Sequence, residues 1–109
     1  MKWINHHDAI RIHDDVMNQM HDTLNSITCY NPAQKMMRHT GLNLYGPTVI
    51  KEDGAVAAQR VFTTWADLFS TGPERIDREE VVASLRTLAK YSKSVANSNG
   101  ALFLLHLGM

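Results

Sequence analysis

The sequence predicts an all-α fold, a small helical bundle of three long and one or two short helices that spans residues 1–109 as a single domain. Apolar residues recur at three- and four-residue steps through most of the chain, which is typical of amphipathic helices. Outside the stretch 41–50, no run long enough to be convincing alternates between apolar and polar residues as a half-buried strand would. Residues that commonly begin or end helices separate the periodic stretches.

The first half of the chain is predicted to form one long helix and one short helix. Asn5 is a suitable N-cap, and the helical pattern continues to about Thr28. Asn31 and Pro32 fit an N-cap followed by a proline in the first turn, so a short helix through KMMRHT would end at Gly41. The next stretch, GLNLYGPTVI, holds a Gly-Pro pair and β-branched residues, which predicts a loop or a short extended segment.

The second half is predicted to hold two long helices. Asp53 can cap a helix over about 54–70, and Asp77 with Glu80 resembles a capping box for a helix that ends near Asn97. The last segment, ALFLLHLG, is too short for periodicity to distinguish a helical turn from a buried strand. It carries no charged residue, so it is expected to pack on its own fold or on another copy of the chain.

A histidine-rich stretch near the N-terminus, HHDAIRIHDDVMNQMHD, holds four of the six histidines and four aspartates within residues 6–22. On a helix these residues would separate into an acidic row, a mixed boundary row and an apolar row that contains His13. His6 and His21 stand seven and eight residues from His13, too far along a helix to share one metal ion. The spacing therefore predicts no metal site within this helix.

His13 is the member of this stretch that most needs a partner, because an imidazole on an apolar face must be hydrogen-bonded or remain neutral at a cost. Candidate partners are His39, Tyr45 and His106. The alternatives are a satisfied core histidine, a pH-responsive histidine at a subunit seam, and a ligand-binding or catalytic residue.

Charge and cysteine content limit the classes of function. The chain has 11 basic and 11 acidic residues, so it lacks the overall positive charge of a typical nucleic-acid binder, and its zero net charge favours self-association. Its single cysteine, Cys29, excludes an internal disulfide and favours a cytoplasmic location. No apolar run approaches the length of a membrane span, and the N-terminus lacks the apolar core of a signal peptide.

The sequence therefore predicts a small non-catalytic binding or regulatory protein that acts through protein–protein contacts, forms a homodimer and needs no cofactor. Methionines suit adaptable binding surfaces, although packing in the core is the alternative. The candidate contact or ligand residues are His13, Met17, Met20, Met36, Met37, His39, Tyr45 and His106.

Two other classes of function remain open from the sequence. One is a small-molecule-binding protein or enzyme with a pocket around His13. The other is a helical DNA-binding regulator, in which AQKMMRHTGLNLYGPTVIKE would form a helix-turn-helix in spite of its internal proline. Its phosphate contacts would come from Lys35, Arg38 and Lys51.

Overall fold

The computed structural model describes residues 2–4, 9–12, 14–42, 47–72 and 77–106. Within these residues the chain has an α+β fold of three helices and six short strands. The helices are α1 (Asp14–Leu24), α2 (Asp53–Thr71) and α3 (Arg78–Ala96). The strands are β1 (Lys2–Ile4), β2 (Ala9–Arg11), β3 (Thr28–Asn31), β4 (Met37–Thr40), β5 (Thr48–Ile50) and β6 (Leu104–His106).

The six strands form one sheet in the order β2-β1-β6-β5-β3-β4, and every neighbouring pair is antiparallel. Strand β6, near the C-terminus, lies in the middle of this sheet, with Leu105 opposite Ile4 of β1 and Val49 of β5. Of the C-terminal segment, residues 104–106 form a strand, and Leu104 and His106 are buried within the chain's own fold.

The helices pack on one face of the sheet and share a hydrophobic core with it. Within the described residues, helices α2 and α3 make the most extensive contact of any two elements. The largest buried side chains of this core include Phe62, Leu85 and Leu88 from the helices and Ile50 and Leu104 from the sheet.

The all-α helical bundle predicted from the sequence is wrong, and the N-terminal stretch shows why. The predicted helix from Asn5 to Thr28 is shorter, because residues 9–11 form β2 and the helix begins only at Asp14. The segment AIRI alternates in steps of two as well as fitting a helical wheel, and pairing of Ile10 with Trp3 of β1 selects the strand. The three rows of the helical wheel therefore do not hold for residues 9–11, while residues 5–8 and 13 lie outside the described residues.

The predicted short helix through KMMRHT is also wrong, since this segment contains β4. The predicted N-cap and the proline in the first turn are confirmed for one turn only, because Asn31 caps a 3-10 turn over Pro32–Gln34. Lys35 and Met36 then take positive φ values of 54° and 60°, which ends the helical turn and reverses the chain into β4.

The two long helices of the second half are confirmed to within one or two residues at each end. The predicted cap of α2 is wrong, because Asp53 lies in its first turn and the N-cap is Glu52. Asp77 stands at the N-cap of α3 as predicted but makes no side-chain capping bond. Among the described helices, none combines the length and the apolar character needed to cross a bilayer.

Candidate functional site

The hairpin of β3 and β4 is fixed by hydrogen bonds at both ends. At the turn, the side chain of Asn31 accepts from the backbone N of Ala33 at 3.0 Å, and the backbone N of Met36 donates to the Asn31 carbonyl at 2.8 Å. At the other end, the Gly41 N–H donates to the Ile27 carbonyl at 2.9 Å. The ladder between these two ends holds β4 in one register against β3.

Gly41 is required at the end of this hairpin for two reasons. Its φ of 82° is a conformation that residues with a side chain rarely adopt, and a Cβ there would lie 2.8 Å from Oδ1 of Asn25. The end of β4 is therefore held against the loop that follows α1.

Strand β4 is the last strand on its side of the described sheet, so one of its edges faces away from β3. The bond from Gly41 to Ile27 identifies that pair as hydrogen-bonded, and such pairs alternate along an antiparallel ladder. The N–H and C=O groups of Met37 and His39 consequently point toward β3, whereas those of Arg38 and Thr40 point outward. The segment Lys35–Thr40, in which Arg38 and Thr40 carry these outward groups, is called the β4 edge.

The β4 edge carries exposed apolar side chains. Met36 is 38% exposed and Met37 is 58% exposed, and both rank among the large hydrophobic residues that the fold leaves in solvent. An exposed strand edge with apolar side chains is a template for pairing with another chain, which makes the β4 edge a candidate contact surface.

Cationic side chains flank an aromatic ring on the sheet face turned away from the helices. Arg38 lies opposite Tyr30 in the ladder, and directly opposed residues share a face. Lys51 places its Nζ 4.7 Å from the centroid of the Tyr30 ring, within the range of a cation–π contact. Arg38 is exposed and the other two are half-buried, so this row of side chains reaches from the β4 edge to β5 in contact with solvent.

The candidate residues from the sequence are placed apart from one another. His13 and Tyr45 lie outside the described residues. Met17 and Met20 belong to the buried core, on the inner face of α1. Among the described candidates, Met36, Met37 and His39 are the ones that the structure brings together, on or beside β4.

His39 and His106 are both on the helix-facing side of the sheet but do not meet. They belong to β4 and β6, which are separated by β3 and β5, so about 14 Å lies between them. His106 is fully buried, and this burial lowers its pKa to about 4, which keeps the ring neutral at physiological pH. His39 has a buried Nε2 without a hydrogen-bond partner among the described residues. These two histidines therefore cannot act on one substrate atom.

The sequence indicates the cations of this site only as phosphate contacts of the helix-turn-helix alternative, and nothing in it indicates the aromatic ring of Tyr30 as their neighbour. Lys35, Arg38 and Lys51 belong to a long stretch without any acidic residue, from Thr23 to Lys51, and that signal was available in a chain of zero net charge. Their common location depends on the ladder of β3 with β4 and β5, which no local pattern reveals.

The helix-turn-helix considered for residues 33–52 is wrong, because this region contains β4 and β5 where two helices were required. Within the part of the chain that the structure describes, no three His, Cys, Asp or Glu side chains are grouped closely enough to hold a metal ion.

Comparisons with known proteins do not assign this chain to a family: no family model, no curated protein and no solved structure matches it significantly.

Proposed function

We propose that this protein is a non-catalytic binding or regulatory protein that acts through protein–protein contacts, and that the β4 edge is its contact surface. The observation that carries the proposal is the outward direction of the backbone groups of Arg38 and Thr40 on an exposed strand. An extended segment of another protein would pair with these groups and continue the sheet, which is a common mode of peptide recognition.

The fold supports such a contact because the edge is already ordered. Hydrogen bonds of Met36 and Gly41 hold both ends of β4, so pairing with a partner orders little of this chain. Preorganisation of this kind reduces the entropic cost of association. The exposed side chains of Met36 and Met37 add adaptable apolar contacts beside the backbone pairing.

The proposal is tested with the variant Thr40→Pro. Proline removes an N–H that points outward, so the ladder with β3 is kept while the edge loses a donor. Thr40→Ala is the matched control, because it removes the side chain and keeps the N–H. Circular dichroism and urea unfolding establish that both variants fold.

A random peptide library is then displayed and selected in parallel on the full chain and on the two variants. We expect peptides that are enriched on the wild type and on Thr40→Ala but not on Thr40→Pro. If no peptide distinguishes the wild type from Thr40→Pro, the β4 edge is not a contact surface and the proposal is refuted.

A homodimer is the second part of the proposal. The packing of β6 inside the sheet removes the strongest argument for it, since Leu104 is satisfied within the chain. Two observations still support self-association. One is the zero net charge, and the other is the pair of exposed apolar side chains just before β6, with Leu102 36% and Phe103 52% exposed. A cytoplasmic location also belongs to the proposal, because Cys29 is a free thiol.

Light scattering after size exclusion, over a range of concentrations, measures the oligomeric state. We expect a dimer mass that shifts toward the monomer in Phe103→Ser and stays unchanged in Thr40→Pro. A monomer mass for the wild type at every concentration would exclude the homodimer and leave the β4 proposal intact.

A further inference from the structure

Charge is unevenly distributed over the described fold. No acidic residue occurs between Asp22 and Glu52, the stretch that contains β3, β4 and β5, whereas Lys35, Arg38 and Lys51 lie within it. Acidic residues are found instead on the helices and at their ends, at Asp14, Asp15, Asp22, Glu52, Asp53, Asp67, Asp77, Glu79 and Glu80. A chain with zero net charge therefore presents a cationic end of its sheet.

Arg38 lies where an added strand would place a side chain. A strand paired with β4 would have one residue directly opposite Arg38, on the face that also carries Tyr30 and Lys51. Its neighbouring residues would face the opposite side, next to Met37 and His39. An acidic residue suits the first position and an apolar residue suits the second.

From this arrangement we infer that the β4 edge binds an extended acidic segment of another protein, in which acidic and apolar residues alternate. The inference rests on the proposed function and specifies its partner. An acidic side chain of the segment lies opposite Arg38, Lys35 adds positive charge at the start of the same edge, and the apolar side chains of the segment pack on Met37.

A second copy of this chain does not suit the same edge. Two β4 strands paired about a twofold axis at Arg38 would place the Arg38 side chains of both copies directly opposite each other, and like charges in such positions repel. The cations on the edge thus disfavour pairing between copies and favour an acidic partner. A nucleic acid could contact the cations, but its backbone offers no strand to pair with Arg38 and Thr40.

The inference is tested by fluorescence anisotropy with labelled synthetic peptides and the full chain. Three extended peptides of equal length are compared, with alternating Glu-Val, Gln-Val and Lys-Val. A fourth peptide repeats the Glu-Val sequence with N-methyl groups on alternate backbone nitrogens, which removes pairing without altering the protein. A single-stranded oligonucleotide is titrated in the same buffer.

We expect the Glu-Val peptide to bind about tenfold more tightly than the Gln-Val peptide, with an affinity that falls as salt rises. Arg38→Gln should lower this affinity about fivefold, whereas Lys90→Gln, an exposed lysine on α3, should leave it unchanged. The N-methylated peptide should not bind.

Other results separate the possible failures. Equal binding of the Glu-Val and Gln-Val peptides overturns the charge preference while pairing at the edge stands. Tighter binding of the oligonucleotide than of the Glu-Val peptide, with unchanged binding of the N-methylated peptide, overturns the inference in favour of a phosphate surface. If none of the peptides binds, the inference is refuted, and the library selection with Thr40→Pro decides the proposed function separately.

Discussion

Replacing Gly54 with alanine tests the contact between α2 and the sheet. Gly54 is buried in the first turn of α2, and a Cβ built on it would lie 2.1 Å from the carbonyl oxygen of Thr28 in β3. The obstructing atom belongs to the backbone, so no side-chain rotation relieves the clash. Helix α2 would have to move away from β3 by about 1 Å, since a carbon–oxygen contact needs about 3.3 Å.

Two effects of opposite sign determine the result. Alanine is favoured over glycine within a helix by about 1 kcal/mol, so helix propensity alone predicts stabilisation. Overpacking a close contact costs about 1–3 kcal/mol, and the backbone clash places Gly54→Ala at or above the upper end of that range. We therefore expect the free energy of unfolding to fall by about 2 kcal/mol or more.

Urea unfolding followed by circular dichroism measures this change. A loss of about 2 kcal/mol should lower the midpoint by about 1 M urea at an unchanged slope. Val56→Ala is the matched control, because Val56 is exposed in the same part of α2 and its replacement should change stability by no more than about 0.5 kcal/mol. A midpoint for Gly54→Ala that equals or exceeds the wild-type value would refute the close approach of α2 to β3.

Three further predictions concern buried or hydrogen-bonded groups. His106 has a pKa of about 4 in the folded chain and about 6.5 in the unfolded chain. Protonation therefore favours the unfolded state, and the free energy of unfolding should be about 2 kcal/mol lower at pH 5 than above pH 6.5. An NMR titration in which the His106 ring of the folded protein protonates near pH 6.5 would contradict the lowered pKa. Burial raises the pKa of Cys29 to about 12, so iodoacetamide at pH 8 should label this thiol only after unfolding in urea; rapid labelling of the native protein would be the opposite result. The Nε1–H of Trp65 donates to Oγ1 of Thr23 at 2.8 Å, so Trp65→Phe should cost about 1 kcal/mol in urea unfolding. In the Thr23→Ala background, Trp65→Phe should lower the free energy of unfolding by less. Equal losses in the two backgrounds would show that the Trp65–Thr23 hydrogen bond does not stabilise the fold.

The long helices were predictable because their signals are local. The apolar residues of α2 and α3, such as Phe62 and Leu85, recur at helical spacing, and both are buried in the core as that spacing requires. The strands were not predictable in the same way, since they are three or four residues long and offer at most two side chains to each face. At that length a strand and a single helical turn have the same pattern.

The candidate site was likewise not predictable from local patterns. Met36, Met37 and His39 were named from composition and helical faces, yet their neighbourhood is a strand edge. Arg38 and Thr40 carry the outward backbone groups, and their role depends on which pairs of the β3–β4 ladder are hydrogen-bonded. A one-residue change of register would exchange the inward and outward groups.

The sequence by itself determined two long helices, a core drawn from their apolar stripes, and an acid-free stretch in a chain of zero net charge. Only the tertiary structure decided that residues 9–11 and 37–40 are strands, that β6 lies between β1 and β5, and that Arg38, Tyr30 and Lys51 line up across the sheet. The physical reason is the range of the hydrogen bonds. A helix forms its backbone hydrogen bonds between residues four apart, so the helical period can be recognised in the local sequence. A strand forms its backbone hydrogen bonds with another strand, which here can be about a hundred residues away in the sequence, as for Trp3 and His106.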